Sequence, residues 1–192
     1  KLNLIESMSR SIQCLTQAGG KLSINIQEYL LNWCKNKNIK LFIMYGQTEA
    51  SARLTYLNLT SEPNKIGSVG RVIPDMKLLN DKFSNKKEFE LIFQGENISL
   101  GYFQDRTQLD NPVDINNGIL KTGDIAFIDD DDCIFITGRL SRFAKIDGKR
   151  LSLDQIENSL KEIYVDLAVV SNDQNLCILI NQNDSTNIKD FK

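Results

Sequence analysis

The chain's 192 residues carry 23 lysines and arginines against 25 aspartates and glutamates, with no histidine, four cysteines and 41% hydrophobic residues. That length allows one ordinary domain or two small ones, with a core that needs no disulfide or metal staple. A net charge of −2 leaves no footprint for nucleic acid, the lack of histidine excludes Ser-His and Cys-His mechanisms within the chain, and no apolar run reaches the ~18 residues that span a bilayer.

Cys14, Cys34, Cys133 and Cys177 lie far apart with no C-x-x-C pair. Free thiols in a reducing cytosol are the default for such a pattern, so a cytoplasmic location is expected. The first residue is Lys1 and not Met. A segment of something longer is therefore expected.

In chain order, Ile5, Met8, Ile12 and Leu15 recur at helical spacing, and Gly19-Gly20 would end that helix. A second helical stripe runs through Ile26, Leu30, Trp33 and Lys37, the last at the solvent edge. Residues 41–45 form a continuous apolar run closed by Gly46, which predicts a strand buried on both faces as in a helix-covered parallel sheet. From Gly67 to Arg139 the texture changes to short strands punctuated by turns, which predicts a small β-barrel or sandwich. Within it, residues 89–93 read as one strand, and 125–128 with 133–137 as a hairpin around four consecutive aspartates, Asp129 to Asp132. A calcium loop would need glycine where Ile134 stands, so these aspartates are expected to form a solvent-facing turn.

The last third opens on a capping box, Ser152-x-x-Gln155, ahead of one helical face of Leu153, Ile156, Leu160 and Ile163. Two strands, 165–170 and 176–180, follow across a polar turn. One helix and two strands make a thin layer, so this piece is expected to be truncated.

Three constellations can carry chemistry. In Tyr45-Gly46-Gln47-Thr48-Glu49-Ala50, a buried strand ends in a glycine, a hydroxyl and a carboxylate, at the edge where open α/β sheets bind ligands. Thr48 can bond a phosphoryl oxygen and Glu49 can hold magnesium; the plainer alternative is a loop in which either residue caps the next helix. In Leu120-Lys121-Thr122-Gly123-Asp124, the aspartate can accept from two ribose hydroxyls or can be an ordinary turn residue. The stretch from Thr137 to Leu151 holds Arg139, which can fork onto ribose or phosphate oxygens, and Lys145, a point charge; a solvated basic hinge is the alternative.

The order of these features resembles the adenylate-forming ligase superfamily of acyl-CoA synthetases, peptide-synthetase adenylation domains and luciferase-like enzymes. Tyr45 to Glu49 resembles its Tyr-Gly-x-Thr-Glu motif, and residues 89–102 its Gly-Glu-Leu…Gly…Gly-Tyr stretch, with Phe89 in place of the first glycine. Residues 120–124 resemble its Thr-Gly-Asp motif, and residues 138–157 its Gly-Arg…Lys…Gly-x-Arg…Glu hinge segment, with Ser141 at the hinge position where Asp or Lys is common.

The resemblance implies an α/β portion followed by a small β-barrel and the start of an α+β lid domain, with boundaries at 1–66, 67–140 and 141–192. It implies that Thr48 touches the α-phosphate and Glu49 binds magnesium. Gly19, Gly20, Lys21, Tyr45, Gly46 and Ile136 would line the adenine pocket, with Gln47 beside them at the nucleotide. Asp124 and Arg139 would hold the ribose, and Lys145 would enter the site when the lid rotates. The implied function is the C-terminal portion of an ATP-dependent ligase that activates a carboxylic acid as an acyl-adenylate. ATP/AMP and Mg2+ are the expected cofactors, with coenzyme A or a carrier-protein phosphopantetheine as thiol acceptor. A non-catalytic nucleotide-binding or interaction module is the alternative. No Ser/Thr/Gly-rich phosphate loop occurs, and Lys189 and Lys192 lack the Gly-Lys context of the family's terminal lysine. Isolated activity is therefore expected to be negligible.

Overall fold

The computed structural model describes residues 11–79, 87–146, 148–161, 163–164, 166–172 and 175–181. They fall into two compact units, one drawn from Lys1–Thr122 and Ala126–Ile136, the other from Gly123–Ile125 and Thr137–Lys192.

In the first unit, strands β1 (Cys14–Gln17), β2 (Lys40–Tyr45), β3 (Thr55–Asn58) and β4 (Arg71–Val72) form a sheet in that order. β1 runs parallel to β2, and β3 antiparallel to both β2 and β4. Strand β1 corrects the expected first helix. Its residues alternate between exposed and half-buried, a period of two, and the Lys40 amide bonds the Gln13 carbonyl as the pairing begins. Ile12 and Leu15 pack on the core from this extended segment, while Ile5 and Met8 lie outside the described residues.

Strand β2 is where the sequence placed it, but its sheet is mixed and not all parallel. Leu41 and Ile43 are buried while Phe42 and Met44 keep partial exposure, so one face is sealed more completely than the other. Helix α1 (Ile24–Lys37) packs into the same core and ends at Asn38, whose left-handed backbone returns its N–H to the Cys34 and Lys35 carbonyls. Its buried line is Gln27, Leu31 and Cys34, one residue on from the expected stripe; Ile26 is 37% exposed. A glutamine can sit there because its amide donates to the Leu22 carbonyl at 2.9 Å and accepts from the Gly67 amide at 3.0 Å.

Strands β5 (Lys77–Leu78), β6 (Phe89–Gln94), β7 (Ile119–Ile128) and β8 (Ile134–Arg139) form a second sheet in that order. Its strand order does not return on itself, so the small β-barrel or sandwich expected here is a four-stranded half-barrel sheet. Leu91, Phe93, Ala126 and Ile134 give this region a fully buried core that also takes in Ala50 and Leu54 from the loop after β2. A short helix, α2 (Arg106–Asp110), is capped by Asp105, whose carboxylate accepts from the Thr107 and Gln108 amides.

The acidic turn is more than a solvent-facing hairpin. The Lys65 ammonium, only 11% exposed, bridges Asp129 at 2.7 Å and Asp131, and Arg71 forks onto Glu62 while its Nε reaches the Asp131 carbonyl. Burial alone would raise the Asp129 carboxyl, but Lys65 and the Cys133 and Asp131 amides reverse this and hold it below the usual range. The Asp129 and Asp131 carboxylates are therefore taken by the Lys65 side chain of the same unit.

The second unit contains hairpin β9 (Phe143–Ile146) and β10 (Lys149–Ser152), helix α3 (Leu153–Leu160) and hairpin β11 (Leu167–Ser171) and β12 (Leu176–Ile180). The Ser152 hydroxyl accepts from the Gln155 amide, as the capping box predicts. Leu153, Ile156 and Leu160 pack against Leu167 and Val169, but the helix stops at Leu160. Ile163 is 58% exposed, and Tyr164 fills that place in the core. Among the described residues no helix is long and apolar enough to cross a membrane.

Candidate nucleotide site

The loop leaving β2 is built to hold one shape. Ala50 and Leu54 are completely buried, and the Leu54 amide bonds the Tyr45 carbonyl, which closes the loop on itself. Between them Thr48–Ala50 makes one turn of 3-10 helix whose Ala50 amide bonds the Gln47 carbonyl. Neither the Thr48 nor the Glu49 side chain caps that turn, and the residue before it, Gln47, makes no side-chain cap bond. Gly46 is required by close approach: a Cβ there would lie 2.3 Å from the Ala52 carbonyl oxygen.

Residues 97–102 fasten that loop from outside. The Asn97 amide donates to the Ala50 and Arg53 carbonyls, the Ser51 hydroxyl donates to the Asn97 carbonyl, and the Ser99 amide bonds the Glu49 carbonyl at 2.7 Å. The Tyr102 hydroxyl then donates to Glu49 Oε1. That bond, with a backbone amide, holds the Glu49 carboxyl below its usual range, and the Tyr102 phenol is raised in turn. Gln47 Nε2 donates to the Thr122 carbonyl at 2.9 Å, and the Thr122 hydroxyl to Leu91. This ties the Tyr-Gly-Gln-Thr-Glu loop to the strand that carries Thr-Gly-Asp.

Of the residues expected at the adenine, Lys21 and Ile136 come together in the first unit, the Lys21 ammonium 3.5 Å from the Ile136 carbonyl oxygen. Gly19 and Gly20 follow β1, and a Cβ added at either would meet nothing within 4 Å. Tyr45 is half-buried on the second core. In the second unit, Arg139 Nε donates to Asp124 Oδ1 at 2.7 Å, with the Asp124 side chain 3% exposed and that of Arg139 60% exposed. Lys145 is exposed on β9, in register with Arg150. Arg142, beside Ser141, bonds Asp154, Glu157 and the Val169 carbonyl.

The donor set fits magnesium of the kind held through phosphates. Among the described residues no three carboxylates or thiols gather into a metal cage, and the loop offers one ionised carboxylate beside an exposed hydroxyl. Magnesium is commonly bound through one or two carboxylates plus substrate phosphates. Tyr102, the Gln47 bond to Thr122 and the Lys65 pairing with the acidic turn were missed as working parts by the sequence reading. The motifs did contain Gly101-Tyr102, Gln47 and Thr122, but nothing in them showed that these residues meet across the chain.

The AMP-binding enzyme family model matches residues 4–103. A 2-succinylbenzoate–CoA ligase of Bacillus cereus (strain ATCC 10987 / NRS 248) is 29% identical over 161 residues, covering 81% of this chain and 32% of that protein. The 4-coumarate–CoA ligase 1 of Glycine max is 32% identical over 156 residues, covering 77% of this chain and 52% of that protein. The solved O-succinylbenzoate coenzyme A synthetase of Bacillus subtilis, in complex with ATP and magnesium ion, superposes with a TM-score of 0.68 at 22% identity, over 92% of this chain and 38% of its own. The chain thus spans about a third of the bacterial relatives' length and about half of the plant one's. With its motifs in order, its fold shared and more than half its length matched, the chain belongs to the AMP-binding enzyme family.

Proposed function

We propose that this chain is part of an ATP-dependent acid–thiol ligase. A carboxylate oxygen of the substrate acid attacks the α-phosphorus of ATP, the new O–P bond forms, and pyrophosphate leaves. A thiol sulfur then attacks the acyl carbon, and AMP leaves with the electron pair. Coenzyme A is the acceptor that the named relatives favour, with a carrier-protein phosphopantetheine as the other thiol of the same chemistry. On this reading residues 1–66 belong to the α/β nucleotide-binding portion, 67–140 to the β subdomain and 141–192 to the beginning of a lid.

The observation that carries the reading is the loop after β2. It presents an ionised Glu49 and an exposed Thr48 hydroxyl at the carboxyl end of a core strand. Glu49 would hold magnesium, which when bound neutralises charge on the phosphates. Thr48 donates to an α-phosphate oxygen, and Gly19, Gly20, Lys21, Tyr45, Gly46 and Ile136 border the base. Gln47 fixes the loop to Thr122, while Asp124 and Arg139 take the ribose hydroxyls. Lys145 supplies positive charge for the second half-reaction.

The test is ATP–pyrophosphate exchange by the full-length protein of this reading frame, with a panel of aromatic and aliphatic carboxylic acids. Acid-dependent exchange is expected, reduced by about a hundredfold in Glu49→Gln, the scale seen when one charge-stabilising group is removed. Exchange at the unsubstituted rate in Glu49→Gln overturns the role of Glu49. Nucleotide binding with no exchange for any acid overturns the ligase in favour of a non-catalytic module.

A further inference from the structure

We infer that Tyr102 is a positioning residue for the magnesium carboxylate, holding Glu49 Oε1 so that Oε2 is presented to the cation. The inference rests on the proposed role of Glu49 and adds a residue to it. Tyr102 is 74% exposed, so its ring gains little from burial, yet its hydroxyl is anchored on Glu49. What aims it is backbone. Gly101 takes φ +141°, where a side chain would strain the chain and its Cβ would lie 3.2 Å from Ile115 Cδ1, and the Ile115 amide bonds the Leu100 carbonyl. Upstream, Asn97, Ser51 and Ser99 tie residues 97–99 to the Glu49 loop with four further hydrogen bonds. The phenol therefore arrives at the carboxylate on a segment already fixed to the loop that carries it.

A half-exposed glutamate left to itself samples several rotamers, and a cation that binds it must select one. A carboxylate already fastened through one oxygen has lost that freedom before binding, which is preorganisation. Tyr102→Phe removes only the hydroxyl and leaves the ring and backbone.

The test uses the full-length protein with a non-hydrolysable α,β-methylene analogue of ATP. Mn2+, the magnetic stand-in for magnesium, is titrated by electron paramagnetic resonance into the unsubstituted protein, Tyr102→Phe, Glu49→Gln and the double variant. Affinity for the analogue without metal and the melting temperature are measured alongside. Expected is a Mn2+ midpoint about three- to tenfold higher in Tyr102→Phe with metal-free nucleotide affinity unchanged. Glu49→Gln shifts the midpoint further, and the double variant matches Glu49→Gln alone, because a hydroxyl acting through the carboxylate has nothing left to act on. A midpoint in Tyr102→Phe that is unchanged or tighter overturns the inference. So does a shift that persists in the Glu49→Gln background or that accompanies an equal loss of metal-free nucleotide binding. Glu49→Gln titrating like the unsubstituted protein removes instead the assignment of Glu49 to the cation. The two failures are thus distinguishable.

Discussion

Gly46→Ala separates a loop held by backbone contact from one held only by side chains. The added methyl would lie 2.3 Å from the Ala52 carbonyl oxygen, 2.7 Å from its carbon and 2.9 Å from the Arg53 Cα. All three are main-chain atoms, so no rotamer change can relieve the overlap. Reaching an ordinary contact requires a retreat of roughly 1 Å, given carbon contact distances of ~3.5 Å. Ala50 and Leu54 resist that retreat, because both are fully buried and the Leu54 amide is bonded to Tyr45. Overpacking of this kind costs about 1–3 kcal/mol. The same displacement passes to Thr48 and Glu49, and a misplacement of about 1 Å in a reacting constellation costs on the order of a hundredfold in rate. Gly19→Ala is the control: its φ of +86° imposes strain, but the new methyl meets nothing within 4 Å. The assay is urea unfolding of the full-length protein together with ATP–pyrophosphate exchange. Gly46→Ala should lose both stability and exchange, and Gly19→Ala should lose no more than about 1–2 kcal/mol, the cost of a left-handed residue with a side chain. Gly46→Ala with an unchanged urea midpoint and unchanged exchange would refute the close-contact account of this loop.

Phe93→Ala should cost about 3–5 kcal/mol, the usual toll of emptying an aromatic site, since Phe93 is completely buried among Leu91, Ala126 and Ile134; a urea midpoint within error of the original contradicts this. Stability should be lost in acid. Arg71 holds Glu62 below its usual pKa, and against burial Lys65 does the same for Asp129 and the Val169 amide with Arg142 for Glu157, so these groups stabilise above the unfolded value near 4 and cease to as pH falls through their lower folded values. In Lys65→Met, Asp129 loses that counter-charge, so the deficit against the unsubstituted protein should be largest at pH 7 and shrink below about pH 4; a deficit that does not vary with pH would count against the pairing. Arg142→Met should destabilise the second unit by about 1–3 kcal/mol, because Glu157, 16% exposed, keeps the Val169 amide but loses a charge-assisted partner. Hydrogen exchange should locate that loss in α3 and β11, and uniform exchange across the chain would argue otherwise.

The elements that could be read from the sequence were those whose pattern is local. Ser152 and Gln155 cap α3 three residues apart, and residues 89–93 stop at the turn where β6 ends. The described part of the expected first helix, Ile12 and Leu15, was misread for a physical reason. Ile12 and Leu15 sit three apart, a spacing that a helix uses, yet β1 exists because Lys40 and its neighbours offer a parallel partner, which no local pattern reports. The burial of Gln27 was equally hidden, since its partners Leu22 and Gly67 come from a loop on either side, one of them forty residues away. Apolar spacing therefore placed the buried face of α1 one residue early.

The same division runs through the candidate site. Chemistry-bearing side chains stand together in short words such as Gly-Gln-Thr-Glu, and although a capping loop uses the same residues, the order of such words along the chain sets them apart. The groups that hold them lie far along the chain, Asn97 47 residues from Ala50, Tyr102 53 from Glu49 and Thr122 75 from Gln47. Closing loops of that length costs conformational entropy whether or not the contacts are catalytic. The core of Ala50, Leu54, Leu91 and Phe93 meets most of that cost, and the polar contacts add direction once the segments are already adjacent. On this view the motifs of residues 45–49 and 89–102 belong together: the second is the bracket on which the first is mounted. Substitution of the polar contacts of the bracket, Asn97 and Tyr102, should accordingly appear as altered positioning of Glu49 before it appears as lost folding, the reverse of what is expected at its core residue Phe93.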